Sequence, residues 1–264
     1  MLLYKYRFLN RIQIQALMGH KDKKTINMWL RDLKAKEYIE WIYNPDHFAE
    51  KTKPAIYYIG INGVRYFKTI QATDDTPWFS IEDIRKRYKE AKRSQTFIDH
   101  CMLIADCCVD LAAHSDDKTS YECITEADYR NEHSQYHFFL DNDLVTTNLL
   151  FVKTERKKSG NVTTPYLLEI FDATMPRYRI KKRLANYIEY LDYGDWQSQT
   201  NDDKPPLLLF VCPRTSDLIY AKRRTRGLLA DEWDEDESEK PGINFTTIEK
   251  LKAGGLLAGG WEKA

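Results

Sequence analysis

Residues 164–191 read Thr-Pro-Tyr-Leu-Leu-Glu-Ile-Phe-Asp-Ala-Thr-Met-Pro followed by Arg-Tyr-Arg-Ile-Lys-Lys-Arg-Leu-Ala-Asn-Tyr-Ile-Glu-Tyr-Leu. The apolar run Tyr166 to Phe171 predicts a buried strand. Pro176 then leads into a helix over Arg177 to Leu191, whose buried stripe is Ile180, Leu184, Tyr187, Ile188 and Leu191. Arg179, Lys181, Lys182 and Arg183 fall outside that stripe as a basic surface near the helix start. A single carboxylate, Glu169, stands inside the apolar strand. An ionised group there costs several kcal/mol to bury unless it is paired or used.

Around this stretch, Leu207 to Val211 reads as a second buried strand, with strand candidates at Tyr121 to Ile124, Gln135 to Leu140 and Asn148 to Lys153. Glu155 to Thr164 contains Ser-Gly-Asn, residues that tolerate positive φ, and predicts a hairpin loop. A helix over Phe97 to Ala113, with Ile98, Met102, Ala105, Val109 and Ala112 on one face, is expected to begin this domain. Helix, strands, helix, strand predicts a mixed sheet with helices packed on it. A further basic run, Lys222-Arg223-Arg224-Thr225-Arg226, follows, and then Asp231 to Glu239 carries seven carboxylates in nine residues, the composition of a solvated loop.

Towards the N-terminus the pattern changes. Helical periodicity over Leu2 to Leu9 is followed by Asn10, a predicted N-cap for a short helix ending near Gly19. Asp22 caps a third helix with Ile26, Trp29, Leu30 and Leu33 as its expected buried stripe, leaving Lys23, Lys24, Asn27 and Arg31 on the opposite face. Tyr38 to Tyr43 and Ala55 to Ile61 alternate as half-buried strands, joined by a polar connection carrying Lys51 and Lys53. Three helices, strand, loop, strand is the order of a winged helix-turn-helix. Residues 1–70 hold 13 Lys and Arg against 6 Asp and Glu, in a chain whose totals balance at 40 each. Such an excess suits a phosphate backbone, with Asn27 and Arg31 placed to read base edges.

The expected fold class is therefore α+β, a winged-helix domain over 1–70, a linker and charged helix start over 71–94, an α/β domain with a mixed central sheet over 95–230, and an acidic segment and tail over 231–264. The N-terminus is too charged for a signal peptide, and no run of 18 apolar residues occurs. A cytoplasmic protein without membrane contact is expected. Five cysteines without a Cys-x-x-Cys pair indicate neither a zinc ribbon nor a disulfide framework. His133 and His137 lack the glutamate of a zinc-protease motif.

The chain resembles the replication-relaxation family of plasmid and mobile-element proteins. The resemblance lies in the winged-helix order, the helix Phe97 to Ala113 with His100, and Leu-Leu-Glu-Ile-Phe-Asp-Ala-Thr-Met-Pro before a basic helix ending Tyr-Ile-Glu-Tyr. It implies a restriction-endonuclease-like second domain, in which an Asp on one strand and a Glu-x-Asp or Glu-x-Lys on the next hold a divalent metal against a phosphate. Here Thr147-Asn148 stands in place of the first motif and Glu169-Ile170-Phe171 in place of the second. Asp143, Asp172 and Lys182 are the candidate substitutes. The expectation is a DNA-binding protein with a degenerate nuclease-like domain and no cofactor. Its DNA contacts are Lys23, Lys24, Asn27, Arg31, Lys51, Lys53, Arg179, Lys182 and Arg183. The alternatives are a magnesium- or manganese-dependent nuclease using Glu169 with Asp143 or Asp172, and a protein-interaction module of a replication or conjugation complex. Double-stranded DNA is the expected partner, with replication or conjugation proteins beside it.

Overall fold

The computed structural model describes residues 1–43, 46, 51–73, 79–131, 134–137, 147–200, 204–232 and 241–264. They form a mixed α and β protein that divides into two compact units, residues 1–113 with 125–137, and residues 114–124 with 138–264.

In the first unit, α1 (Leu2–Tyr6) and β1 (Leu9–Asn10) precede α2 (Arg11–Leu17) and α3 (Lys23–Ala35). Both predicted caps form. The Asn10 side chain accepts from the Gln13 N–H while the Gln13 side chain accepts from the Asn10 N–H, a capping box. Asp22 accepts from the Lys24 and Thr25 N–H groups. β2 (Ile39–Ile42) and β3 (Ile56–Ile59) then close a three-stranded antiparallel sheet in the order β1, β3, β2. The stripe on α3 is narrower than its spacing predicts: Ile26 and Leu30 are buried, whereas Trp29 and Leu33 keep 40% and 38% of their surface in solvent. Exposing Asn10→Ala to urea checks the first cap, and a loss of about 1 kcal/mol is expected, the usual worth of an N-cap.

Residues after β3 differ from the expected linker. α4 (Ile61–Thr73) and α5 (Ile81–Lys86), continued as a 3-10 turn to Lys92, put Val64, Phe67 and Ile84 into one core with Tyr4, Ile59 and Phe79, which precedes α5. Gly60 and Gly63 lie so close to the backbone of Glu37 and Tyr38 that a Cβ at either would clash. Arg87 and Glu90 are buried here as a charge network: Arg7 donates to Glu90 at 2.7 Å, and Arg87 to Asp83 at 3.1 Å.

The helix expected to open the second domain, α6 (Gln95–Ala113), also packs within the first unit. Its Ile98 and Cys101 pack on Phe8, and the buried Gln13 side chain donates to Met102 O at 3.0 Å and Asp106 Oδ1 at 2.6 Å. Helical periodicity shows that a helix has a buried face and is silent on what covers it. Of the expected strand over Gln135 to Leu140, residues 135–137 form a turn after the short helix α7 (Glu126–Tyr129), where the His137 N–H donates to Ser134 O, and 138–140 lie outside the described residues.

The second unit is built on a six-stranded sheet: β4 (Thr119–Thr125), β5 (Leu149–Lys157), β6 (Gly160–Ile170), β7 (Leu207–Cys212), β8 (Ile243–Thr247) and β9 (Glu262–Lys263), neighbours in that order. β5 and β6 form a tight antiparallel hairpin in which Gly160 takes φ 120°, shorter than the loop the sequence suggests. β6, β7 and β8 are parallel, so α8 (Arg177–Asp192) after β6 and α10 (Thr215–Glu232) after β7 start at the same sheet edge. α9 (Asp195–Thr200) lies between them in sequence. The predicted stripe on α8 is buried as expected. The expected C-terminal tail instead continues the sheet: Ile243 and Phe245 of β8 are buried, and α11 (Ile248–Ala258) leads into β9, which pairs antiparallel with β8. Among the described residues no helix is long and apolar enough to cross a membrane.

Candidate functional site

Glu169 lies one residue from the end of β6 and is 2% exposed. Its environment follows from the chain reversal at 171–176. That turn brings α8 back over the strand, so residues on the inner side of the helix reach the carboxylate. Arg183 donates to Glu169 Oε1 from Nη2 at 2.6 Å and from Nε at 3.0 Å. The Tyr187 hydroxyl donates to Oε2 at 2.9 Å. One helical turn separates Arg183 from Tyr187, which is why both meet the same group. Burial pushes the Glu169 carboxyl above its ordinary value, and the guanidinium, then the phenol, pull it back. Burial likewise drives the Tyr187 phenol well above its usual range, reinforced by the carboxylate beside it.

The neighbouring positions are equally committed. Asn148 precedes the paired residues Leu149 and Leu168, and its Oδ1 accepts from the Ile170 N–H at 2.6 Å. The Thr147 hydroxyl donates to Leu168 O at 2.9 Å. Phe171 is fully buried, stacked on Phe210 at 5.6 Å, and Phe210 stacks in turn on Phe245 at 5.3 Å. Tyr187 meets Phe210 edge-on at 5.2 Å.

A hard divalent cation requires several oxygen donors facing one point. The residues present do not fit one. Both Glu169 oxygens are engaged, a fixed guanidinium lies beside Oε1, the Asn148 carbonyl oxygen serves the β6 backbone, and the next position is phenyl. Asp172 accepts from the Thr174 N–H and hydroxyl at 2.7 Å each and so closes the turn before α8. Asp143 and His133 lie outside the described residues. His137 hydrogen-bonds Tyr129 O through Nδ1 at 2.9 Å. Among the described residues no group of three or more His, Cys, Asp and Glu is placed to share a metal.

The basic candidates separate into two sets. Lys23, Lys24 and Arg31 are exposed on α3, with Asn27 half-buried between them. Lys51 and Lys53 are exposed in the connection between β2 and β3, of which residues 44, 45 and 47–50 lie outside the described residues. On α8, Arg179 and Lys182 are exposed, whereas Arg183 is drawn onto Glu169. The partners of Glu169 that the sequence does not single out are Arg183 in this role and Tyr187. Their signal is present only as the four-residue spacing of Arg183 and Tyr187. The acidic block is outside the described residues from 233 to 240.

A family model described as replication-relaxation matches residues 1–203. No curated protein and no solved structure matches the chain.

Proposed function

The chain belongs to the replication-relaxation family, and on that premise we propose that it is a DNA-binding protein acting in the replication of plasmid or mobile-element DNA. Its N-terminal unit is read as a winged helix. Its second unit is read as a restriction-endonuclease-like domain that has exchanged its metal site for an internal ion pair. The observation that carries the first reading is the exposed set Lys23, Lys24 and Arg31 along α3, of which Lys24 and Arg31 lie away from the buried Ile26 and Leu30. The order of three helices followed by β2 and β3, with the strand order β1, β3, β2, supports it.

The second reading rests on Glu169, Arg183 and Phe171. The Arg183 guanidinium neutralises the one carboxylate that remains and offers no Lewis acid, so DNA contact rather than cleavage is the activity expected.

Duplex binding across a salt series tests the proposal. Wild-type protein should bind with an affinity that falls steeply with salt. The Lys24→Ala/Asn27→Ala/Arg31→Ala variant should bind roughly tenfold or more weakly, with a salt slope lower by about 2 because two phosphate or base contacts from cations are gone. Equal binding by both proteins, or binding by neither, would overturn it. A protein-docking role has one specific observation in its favour, an open apolar groove of about 280 Å³ between α2 and α3 lined by Ile14, Met18, Ile26, Trp29, Leu30 and Leu33. Co-purification of a partner that survives nuclease treatment and is lost in Trp29→Ser would favour that role over DNA contact by α3.

A further inference from the structure

The second unit carries an arginine and tyrosine cluster where α8 and α10 begin. Arg177 lies over the Tyr220 ring at 5.2 Å, and Arg224, one turn further along α10, lies over the same ring at 5.3 Å. Beneath them the buried carboxylate of Asp217 accepts from Arg214 Nε at 2.8 Å and meets Arg177 Nε at 3.5 Å. Asp217 thus orients two guanidinium groups whose side chains remain 56% and 67% exposed. Alongside, Tyr178 is 66% exposed, and Arg179 Nε donates to its hydroxyl at 3.3 Å.

Arg177 and Arg214 share the buried Asp217 carboxylate, while Arg224 lies on Tyr220 and Arg179 on Tyr178, so four guanidinium groups against one carboxylate leave an excess of positive charge. Each guanidinium has five N–H donors, and the internal contacts use only some of them. The Tyr178 ring, with Arg179 Cζ 6.0 Å from its centroid, stays largely exposed as a flat apolar surface. Both helices start at the carboxyl edge of the parallel strands β6 and β7, where helix dipoles favour anions and where open α/β sheets place their ligands. The α8 terminus has no side-chain cap, Pro176 standing at that position. Cations alone would suit the phosphates of any nucleic acid. Cations interleaved with an exposed aromatic ring suit unpaired bases, because a duplex hides its base faces in the stack. Arg214, Tyr220 and Arg224 lie beyond the residues matched by the family model.

We propose that this cluster, formed by Arg177, Tyr178, Arg179, Arg214, Tyr220 and Arg224, is a second nucleic-acid site that holds single-stranded DNA, its phosphates on the arginines and a base on Tyr178. The choice of DNA rests on the family-based reading above, and the single-strand preference rests on the cluster itself. The chain then has two separable contacts, duplex on α3 and an unpaired strand on the second unit.

Anisotropy of labelled oligo-deoxythymidine, on the order of 20 nucleotides to exceed the site size of such surfaces, tests this with the full chain. Wild type should bind at low salt. Tyr178→Ala should weaken binding about tenfold, the scale of one lost base stack, while Tyr178→Phe retains it. Arg179→Glu/Arg224→Glu, at two exposed positions, should weaken it further and flatten its salt dependence. The Lys24/Asn27/Arg31 alanine variant should keep oligo-deoxythymidine binding while losing duplex affinity, so failure of the α3 reading and failure of this one are distinguishable. The proposal is overturned if wild type does not bind the oligonucleotide, if Tyr178→Ala equals wild type, if Tyr178→Phe is as weak as Tyr178→Ala, or if oligo-uridine binds more tightly, which would assign the site to RNA.

Discussion

Arg183→Met destabilises the protein by about 3–5 kcal/mol, the usual cost of removing one member of a buried ion pair. The loss comes from Glu169, which stays 2% exposed with Tyr187 as its remaining side-chain donor. The effect has a definite pH dependence. Burial already raises the Glu169 carboxyl above its ordinary 4.5, with Arg183 the first force holding it down. Without Arg183 the folded-state value rises further above the unfolded one. A group raised in this way contributes stability below its unfolded value and loses it as pH rises through the folded value. The deficit of Arg183→Met is therefore smallest in mild acid and grows towards neutral and alkaline pH. Urea denaturation of wild type and variant across that range measures it. Glu169→Leu/Arg183→Met, which removes both charges, should recover most of the loss, since apolar replacement of a whole buried pair is often neutral. If Arg183→Met matched wild type within about 0.5 kcal/mol, the variation of an ordinary surface change, the pair would contribute nothing measurable to the fold.

The second large effect is at Phe171. Phe171→Ala costs about 3–5 kcal/mol, because the ring is wholly buried and its removal opens a cavity beside Phe210. Phe171→Asp, the change that restores the carboxylate of the resembled motif, costs at least as much. It adds an unpaired charge to the cavity. Asn148→Asp removes no ring, but it sets a second carboxylate near Glu169 and leaves the Arg183 guanidinium in place. The combined Asn148→Asp/Phe171→Asp variant is thus expected to be severely destabilised and to show no magnesium- or manganese-dependent cleavage of supercoiled or linear DNA. Cleavage by that variant that Glu169→Ala abolishes would show that the scaffold still holds a usable metal geometry.

Both effects turn on features of different visibility in the chain. Glu169 is conspicuous in sequence because an acid interrupts Tyr166 to Phe171, and the turn and helix after it are marked by Asp172, Pro176 and a clean apolar stripe. Asn10 and Asp22 are equally plain, since each needs only the three residues that follow it. Arg183 is different. It belongs to a run of basic residues, and which of them leaves the surface depends on how α8 lies across β6, a long-range packing choice. The same limit explains α6, whose periodicity is legible and whose packing within the first unit is not. It also explains β8 and β9, short strands beyond an acidic block, which become strands by pairing with β7 and with each other.

The local elements are legible in the chain alone: the caps, the hairpin, the buried strands β6 and β7, the amphipathic α8, and the basic excess of residues 1–70. These depend on side-chain period, capping chemistry and backbone freedom within a few residues, which a linear chain carries explicitly. Tertiary packing settles which unit claims α6, that the C-terminal residues extend the sheet, and that Glu169 is saturated by Arg183 and Tyr187. It also brings Arg177 to the Tyr220 ring beside Arg224. Each of these is a contact between residues distant in sequence, fixed by the burial and pairing of whole elements, and so absent from any short window of the chain.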